Sequence, residues 1–176
     1  NVAAAAAAGH ALGIAPKKIG PAIERTAAAF GRVERVTVGD KQLFLGLIKN
    51  PTGANELIHT LALEPGTKHL LVLINDNFAD GTDISWLWDT DFEELLPQVE
   101  SIAVGGLRAN DMALRLKYAG LPEADIRAAR SVGSAVESAL ERVPERGTLY
   151  VLPTYTAMLE LRRYLAEQGH LTHFLK

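Results

Sequence analysis

The segment HLLVLINDNFADGTDISWLWDTDF, residues 69–92, decides how this chain is read. Its opening run, His69 to Ile74, has strand length, and an apolar run without polar alternation belongs to a strand covered on both faces. From Asn75 the character reverses. Asp76, Asp80, Asp83, Asp89 and Asp91 follow, together with both tryptophans of the protein, Trp86 and Trp88. Carboxylates and large aromatics are crowded at a strand's C-terminal end, where open α/β sheets collect ligands and catalytic groups.

Working outward, strands and helices alternate on both sides. Residues 1–13 are alanine-rich and helix-forming. Pro16 starts a second helix whose apolar face is Ile19, Ile23, Ala27 and Phe30, and Gly31 stops it. From Arg32 the period changes: Val33, Val36 and Val38 precede Gly39-Asp40, and Gln42 to Ile48 returns as a β-rich run, a hairpin pattern. Thr52 is expected to cap a helix reaching Leu63, with Leu57, Ile58 and Leu61 inward. Beyond the acidic segment, Phe92 to Val99 reads as a short helix and Ser101 to Val104 as a buried strand. Arg108 to Gly120 is a helix with Met112, Leu116 and Ala119 on one face. A strand at Ile126 to Ala129, a helix from Ser131 to Val143, a strand from Thr148 to Leu152 and a helix from Tyr155 to Gln168 complete the pattern. The expected class is α/β: a Rossmann-like, doubly wound, mostly parallel sheet with an N-terminal hairpin, preceded by a helical pair.

Composition narrows the function. A chain of 176 residues with 48% apolar content makes one ordinary globular domain with part of a second. A net charge of −3 without a Lys/Arg block argues against nucleic acid. No apolar run approaches the ~20 residues of a membrane helix, and the reading is cytosolic. The absence of cysteine removes disulfides, thiolate metal sites and a cysteine nucleophile. The chain opens Asn1-Val2 and six alanines with no methionine and no basic leader, so it reads as the C-terminal part of something longer.

Familiar motifs are missing. There is no phosphate-loop pattern, no G-x-G-x-x-G and no G-x-S-x-G elbow. The five histidines are scattered and read as surface or packing residues. A calcium loop with Gly81 at its sixth position would put Phe78 third and Leu87 twelfth, and neither can ligate. Asp80-Gly81 reads as a turn. Asp83, Asp89 and Asp91 remain, with Trp86 and Trp88 expected to anchor them. A rigidly held carboxylate is what a triad uses to orient a histidine, but this chain offers no nucleophile, so one would have to come from another chain. Lys49-Asn50-Pro51, at a strand-to-helix junction, offers a cation and an amide near a helix N-terminus.

Four stretches carry a resemblance across nearly the whole chain: KNPTGANE (49–56), NDNFADGTDISWLWDTDFE (75–93), GGLRANDMALRLKYAG (105–120) and LYVLPTYTAML (149–159). They resemble the MurT family, the Mur-ligase-like subunit of lipid II isoglutaminyl synthase. The alanine helix, Leu12 to Ile14 and Gly31 to Glu34 look like the boundary between the middle and C-terminal domains of Mur ligases. The resemblance therefore implies a central-domain end at 1–31 and a C-terminal domain at 32–176. It implies amidation of the D-glutamate α-carboxylate of the stem peptide of lipid II, with ATP and Mg2+. A GatD-type class I glutamine amidotransferase would be the partner in a heterodimer, releasing ammonia from glutamine with its own cysteine and histidine. An aspartate of the ligase subunit would complete that triad: Asp89 first, then Asp83, then Asp91. For the nucleotide, it implies Asn1 at the adenine, Arg32 at phosphate, and Lys49 and Asn50 where Mur ligases carry Asp-x-Ala-His-Asn-Pro. Here that motif is Gly46-Leu47-Ile48-Lys49-Asn50-Pro51, lacking its Asp and His. The family's phosphate loop and four-cysteine zinc ribbon lie upstream. Two rivals stay open: a docking module that only binds the amidotransferase, and a Mur-type ligase adding an amino acid.

Overall fold

The computed structural model describes residues 2–25 and 33–171. In chain order it has α1 (Val2–Ala11), α2 (Pro16–Glu24), β1 (Glu34–Val38), β2 (Lys41–Leu45), α3 (Pro51–Leu63) and β3 (Lys68–Leu73). Then come β4 (Val99–Gly105), α4 (Ala109–Tyr118), β5 (Ile126–Ala129), α5 (Val132–Leu140), β6 (Thr148–Pro153) and α6 (Tyr155–Glu167). The helical pair forms as expected, and Gly9 lets Ile19 close on it: a Cβ there would sit 3.2 Å from Ile19 Cδ1. Ala27, Phe30, Gly31 and the expected domain boundary at 31–32 lie outside the described residues.

Six strands form one sheet in the order β1-β2-β6-β3-β4-β5. The β1–β2 hairpin is antiparallel, and every other pairing is parallel. The expected doubly wound, mostly parallel sheet is therefore what the chain adopts. Every residue of β3 is buried, because β6 and β4 flank it and helices cover both faces. The two-residue period of a strand divides its side chains between two cores. Leu71 and Leu73 join Leu43, Leu45, Leu149 and Val151 under α5 and α6. Leu70, Val72 and Ile74 join Phe44 and Leu152 under α3, α4 and the acidic segment.

Two local expectations are corrected. Asn50, not Thr52, caps α3: its Oδ1 accepts from Gly53 N at 2.9 Å, and Pro51 takes the first helical position. Asn50 already has extended backbone and an acceptor at the right reach, so the helix starts two positions earlier. Phe92 to Val99 is not a continuous helix but two short 3-10 turns, Phe92–Glu94 and Leu96–Gln98, with Val99 opening β4. Pro97 lacks the N–H that an α-helical bond would use there.

Candidate functional site

The chain leaves β3 toward the α3–α4 face and leaves β6, its neighbour, into α6 on the opposite face. Neighbouring strands that diverge this way open a crevice at their C-terminal ends. Here the crevice holds a closed polar network. Asn75, 1% exposed, donates its Nδ2 to Thr156 Oγ1 at 3.1 Å and to Glu160 Oε1 at 3.0 Å, and its Oδ1 accepts from Leu107 N at 2.9 Å. Its own N–H goes to Thr154 Oγ1 at 2.9 Å. Asp80 is buried and accepts from Thr156 N at 2.7 Å and Thr156 Oγ1 at 2.5 Å, placing a carboxylate at the N-terminus of α6. Asp80 is thus more than a solvated turn residue; Gly81, with φ +92°, makes the turn beside it.

The glycines at the end of β4, Gly105 and Gly106, serve close packing. A Cβ on Gly106, at φ +92°, would lie 2.6 Å from Ile74 O, and one on Gly105 would lie 2.6 Å from Ala135 Cβ. That approach lets Arg108 N reach Ile74 O at 2.9 Å and the Arg108 guanidinium clasp Asp76.

The acidic segment continues as a 3-10 turn, Ser85–Asp89, and of its two tryptophans Trp86 packs against the core as expected while Trp88 does not. Trp88 is 52% exposed and Trp86 half-buried; Leu87 and Phe92 are the buried residues. The anchor is Arg115 of α4, itself 5% exposed. Its Nε donates to Leu87 O at 2.9 Å and its Nη2 to Thr90 O at 2.7 Å, while Nη1 and Nη2 each reach a Glu93 carboxylate oxygen at 2.8 Å. The guanidinium also lies over the Trp88 and Phe92 rings, 5.7 Å from each centroid. A rigid, planar fork of donors suits this task as a lysine would not. From α3, Asn55 holds the other side: Nδ2 donates to Asp91 Oδ2 at 2.9 Å, and Oδ1 accepts from Asp91 N at 2.9 Å.

The three candidate acids now separate by environment. Asp83 is spent locally, accepting from Ser85 N at 2.8 Å; that backbone bond, with the Ser85 side chain, holds its pKa below the ordinary carboxylate value. Asp91 is clasped by Asn55. Asp89 is exposed at the end of the 3-10 turn, and its carboxylate has no hydrogen-bond or ion-pair partner among the described residues. Beside it Trp88 meets Tyr118 edge to face, centroids 5.7 Å apart, and Tyr118 is 72% exposed.

Lys49 and Asn50 sit together at the start of α3, exposed, with Lys49 unpartnered among the described residues. Asn1 and Arg32 lie outside the described residues. The helix that begins at Asn50 carries Asn55 to the acidic turn, so two motifs separate in sequence are joined through α3. Sequence reading missed Arg115 and Asn55. A signal for Arg115 was present: it falls on the apolar face of α4 between Met112 and Leu116, where an arginine must find acceptors.

A family model, MurT ligase C-terminal, matches residues 47–158. The lipid II isoglutaminyl synthase (glutamine-hydrolyzing) subunit MurT of Streptococcus pneumoniae is 39% identical over 171 residues, covering 96% of this chain and 37% of that protein. The chain thus spans little more than a third of this relative's length. Among solved structures, a pseudomurein peptide ligase type C from Methanothermus fervidus matches with TM-score 0.68 and 15% identity, over 95% of this chain and 35% of its own. A Mycobacterium tuberculosis folylpolyglutamate synthase, complexed with ADP and AMPPCP, matches with TM-score 0.57 and 21% identity, over 86% of this chain and 35% of its own. These structures show a shared fold. No helix among the described residues is long and apolar enough to cross a membrane. The identity to a curated MurT subunit over almost the whole chain, on the sheet and crevice described, makes this chain a member of the MurT ligase C-terminal family.

Proposed function

We propose that this chain is the C-terminal domain, with the end of the central domain at 1–31, of the ligase subunit of a glutamine-hydrolysing lipid II isoglutaminyl synthase. The reaction is ATP-dependent amidation of the D-glutamate α-carboxylate. A carboxylate oxygen takes the γ-phosphoryl group of ATP and ADP leaves. Ammonia then attacks the acyl carbon, the C–O bond to phosphate breaks, and the nitrogen gives up one proton. The ammonia comes from glutamine hydrolysed by a GatD-type partner.

This chain's part in the hydrolysis is Asp89. It accepts the Nδ1–H of the partner's histidine, holds the tautomer in which Nε2 faces the partner's cysteine, and stabilises the imidazolium that forms. One observation carries this reading: all three acids are exposed, but Asp89 alone has an unpartnered carboxylate, mounted on a turn fixed from two helices. Asp83 and Asp91 are engaged at home.

At the other end of α3, Lys49 offers a free ammonium to a nucleotide phosphate, and Asn50 keeps its Nδ2 donors while its Oδ1 caps the helix. Gly46 stands where Mur ligases carry the motif's aspartate. A Cβ there would lie 2.5 Å from Leu57 Cδ2, so Leu57 occupies the space beside this glycine and would have to turn aside for any side chain. Among the described residues no three His, Asp or Glu side chains gather as metal ligands. The Mg2+ that accompanies ATP would be held chiefly by the nucleotide's own phosphates, as this ion usually is.

Reconstituting the full ligase subunit with its amidotransferase and assaying glutamine hydrolysis tests the reading. Asp89→Asn is expected to lower kcat by about 10³–10⁴-fold while the complex still assembles. Near-normal turnover in that variant removes Asp89 from the triad. Binding without any stimulation of hydrolysis favours the docking module, for which the exposed Trp88–Tyr118 pair is the specific observation.

A further inference from the structure

We propose that Asn55 is a positioning residue for glutamine hydrolysis: from α3 it sets the main chain on which Asp89 is mounted, and so the direction of that carboxylate. The inference rests on the reading of Asp89 given above. Asn55 donates Nδ2 to Asp91 Oδ2 at 2.9 Å and to Asp89 O at 3.4 Å, and its Oδ1 accepts from Asp91 N at 2.9 Å. A carboxamide donates from one atom and accepts at another, and both halves are used here. The residue between, Thr90, is 1% exposed; its Oγ1 donates to Trp86 O at 3.1 Å and its carbonyl is held by Arg115.

The consequence is local and geometric. The carbonyls of Leu87, Asp89 and Thr90 and the N–H of Asp91 are all engaged by side chains from α3 and α4. Of the two peptide planes that meet at the Asp89 Cα, the one to Thr90 is held through the Asp89 carbonyl, and the next planes out are held through the Leu87 carbonyl and the Thr90–Asp91 peptide, which restricts the direction of the Asp89 Cα–Cβ bond. A triad acid must meet a histidine on another protein within hydrogen-bond reach, and a misplacement of about 1 Å lowers turnover by about a hundredfold. Asn55 contacts neither the glutamine nor the partner's nucleophile; it acts through Asp89. Because Asn55 lies on the helix begun by Asn50, the same bond fixes the acid turn relative to the Lys49–Asn50 junction.

An exchange of bond ends tests this in the full reconstituted complex. Asn55→Asp keeps size and the acceptor for Asp91 N, but it turns a carboxylate oxygen toward the Asp91 carboxylate and the Asp89 carbonyl. Glutaminase kcat is expected to fall by about 10–100-fold, with KM for glutamine and affinity for the partner within about twofold. Combining it with Asp91→Asn restores a donor opposite an acceptor at the residue-91 side chain, with the ends exchanged; the Asp89 carbonyl still faces an oxygen, so turnover is expected to recover in part, by about threefold or more over Asn55→Asp. Full activity in Asn55→Asp, or no recovery in the double variant, overturns the proposal. Retained activity in Asp89→Asn is a separate failure, that of the triad reading itself, and it shows whatever the exchange does.

Discussion

Arg115 of α4 and Glu93 of the acidic segment, 22 residues apart, are joined by two parallel hydrogen bonds of 2.8 Å. The same guanidinium satisfies the Leu87 and Thr90 carbonyls, so one buried side chain ties a helix to the turn that displays Asp89. Substitution by methionine keeps much of the volume and removes every donor. The two carbonyls then lose their partners, and at about 1–3 kcal/mol for each buried acceptor the expected destabilisation is about 2–6 kcal/mol. Arg115→Lys recovers only part of this, since an ammonium is a point donor without the fork. Urea unfolding of the three proteins measures the difference, and an Arg115→Met midpoint equal to the parent's removes Arg115 as the anchor.

The Glu93 end of that pair predicts a pH dependence. The hydrogen bonds from Arg115 hold the Glu93 carboxyl below its ordinary value of 4.5. Its pKa is thus lower folded than unfolded, so the stabilisation is complete above about pH 4.5 and is lost as the pH falls through the folded value. Glu93 is 52% exposed, so solvent screens the pair and its share of stability is small. Below pH 4.5 the parent is expected to lose stability more steeply than Glu93→Gln, the two curves converging in acid. Thermal melts in a buffer series check the sign; parallel curves through that range contradict it.

The larger architecture was legible because it depends on period and punctuation. Unbroken apolar runs at 69–74 and 101–104 belong to strands shielded on both faces, and Gly39-Asp40 between valine-rich stretches turns the hairpin. The acidic segment was legible as a place of interest but not in its mechanics. Asp76, Asp80, Asp83, Asp89 and Asp91 look alike in sequence; what separates them is which hydrogen-bond donors come near. Those donors are distant in the chain: Arg108 for Asp76, Thr156 for Asp80 and Asn55 for Asp91. Trp88 misled for a related reason. Size suggests burial, yet in a 3-10 turn threefold periodicity aims neighbouring residues apart, so Leu87 takes the core and Trp88 the surface.

Leu87 and Trp88 therefore make opposite predictions although they are adjacent. Leu87 is 1% exposed in the core under α3 and α4, and Leu87→Ala leaves a cavity there at an expected cost of about 2–5 kcal/mol. Trp88 is 52% exposed and contributes to the fold chiefly its edge contact with Tyr118 and its face to Arg115. Those are worth about 1 kcal/mol together at an exposed site, so Trp88→Ala is expected to melt within a few degrees of the parent. Its effect belongs to assembly. An exposed aromatic pair beside an unpartnered carboxylate is the kind of anchor that carries binding energy at protein interfaces, where truncation costs about 2 kcal/mol or more. Calorimetric titration of the full ligase subunit with its amidotransferase is expected to show a Kd raised by about thirtyfold in Trp88→Ala. An unchanged Kd would mean that the partner approaches Asp89 from the side away from Tyr118.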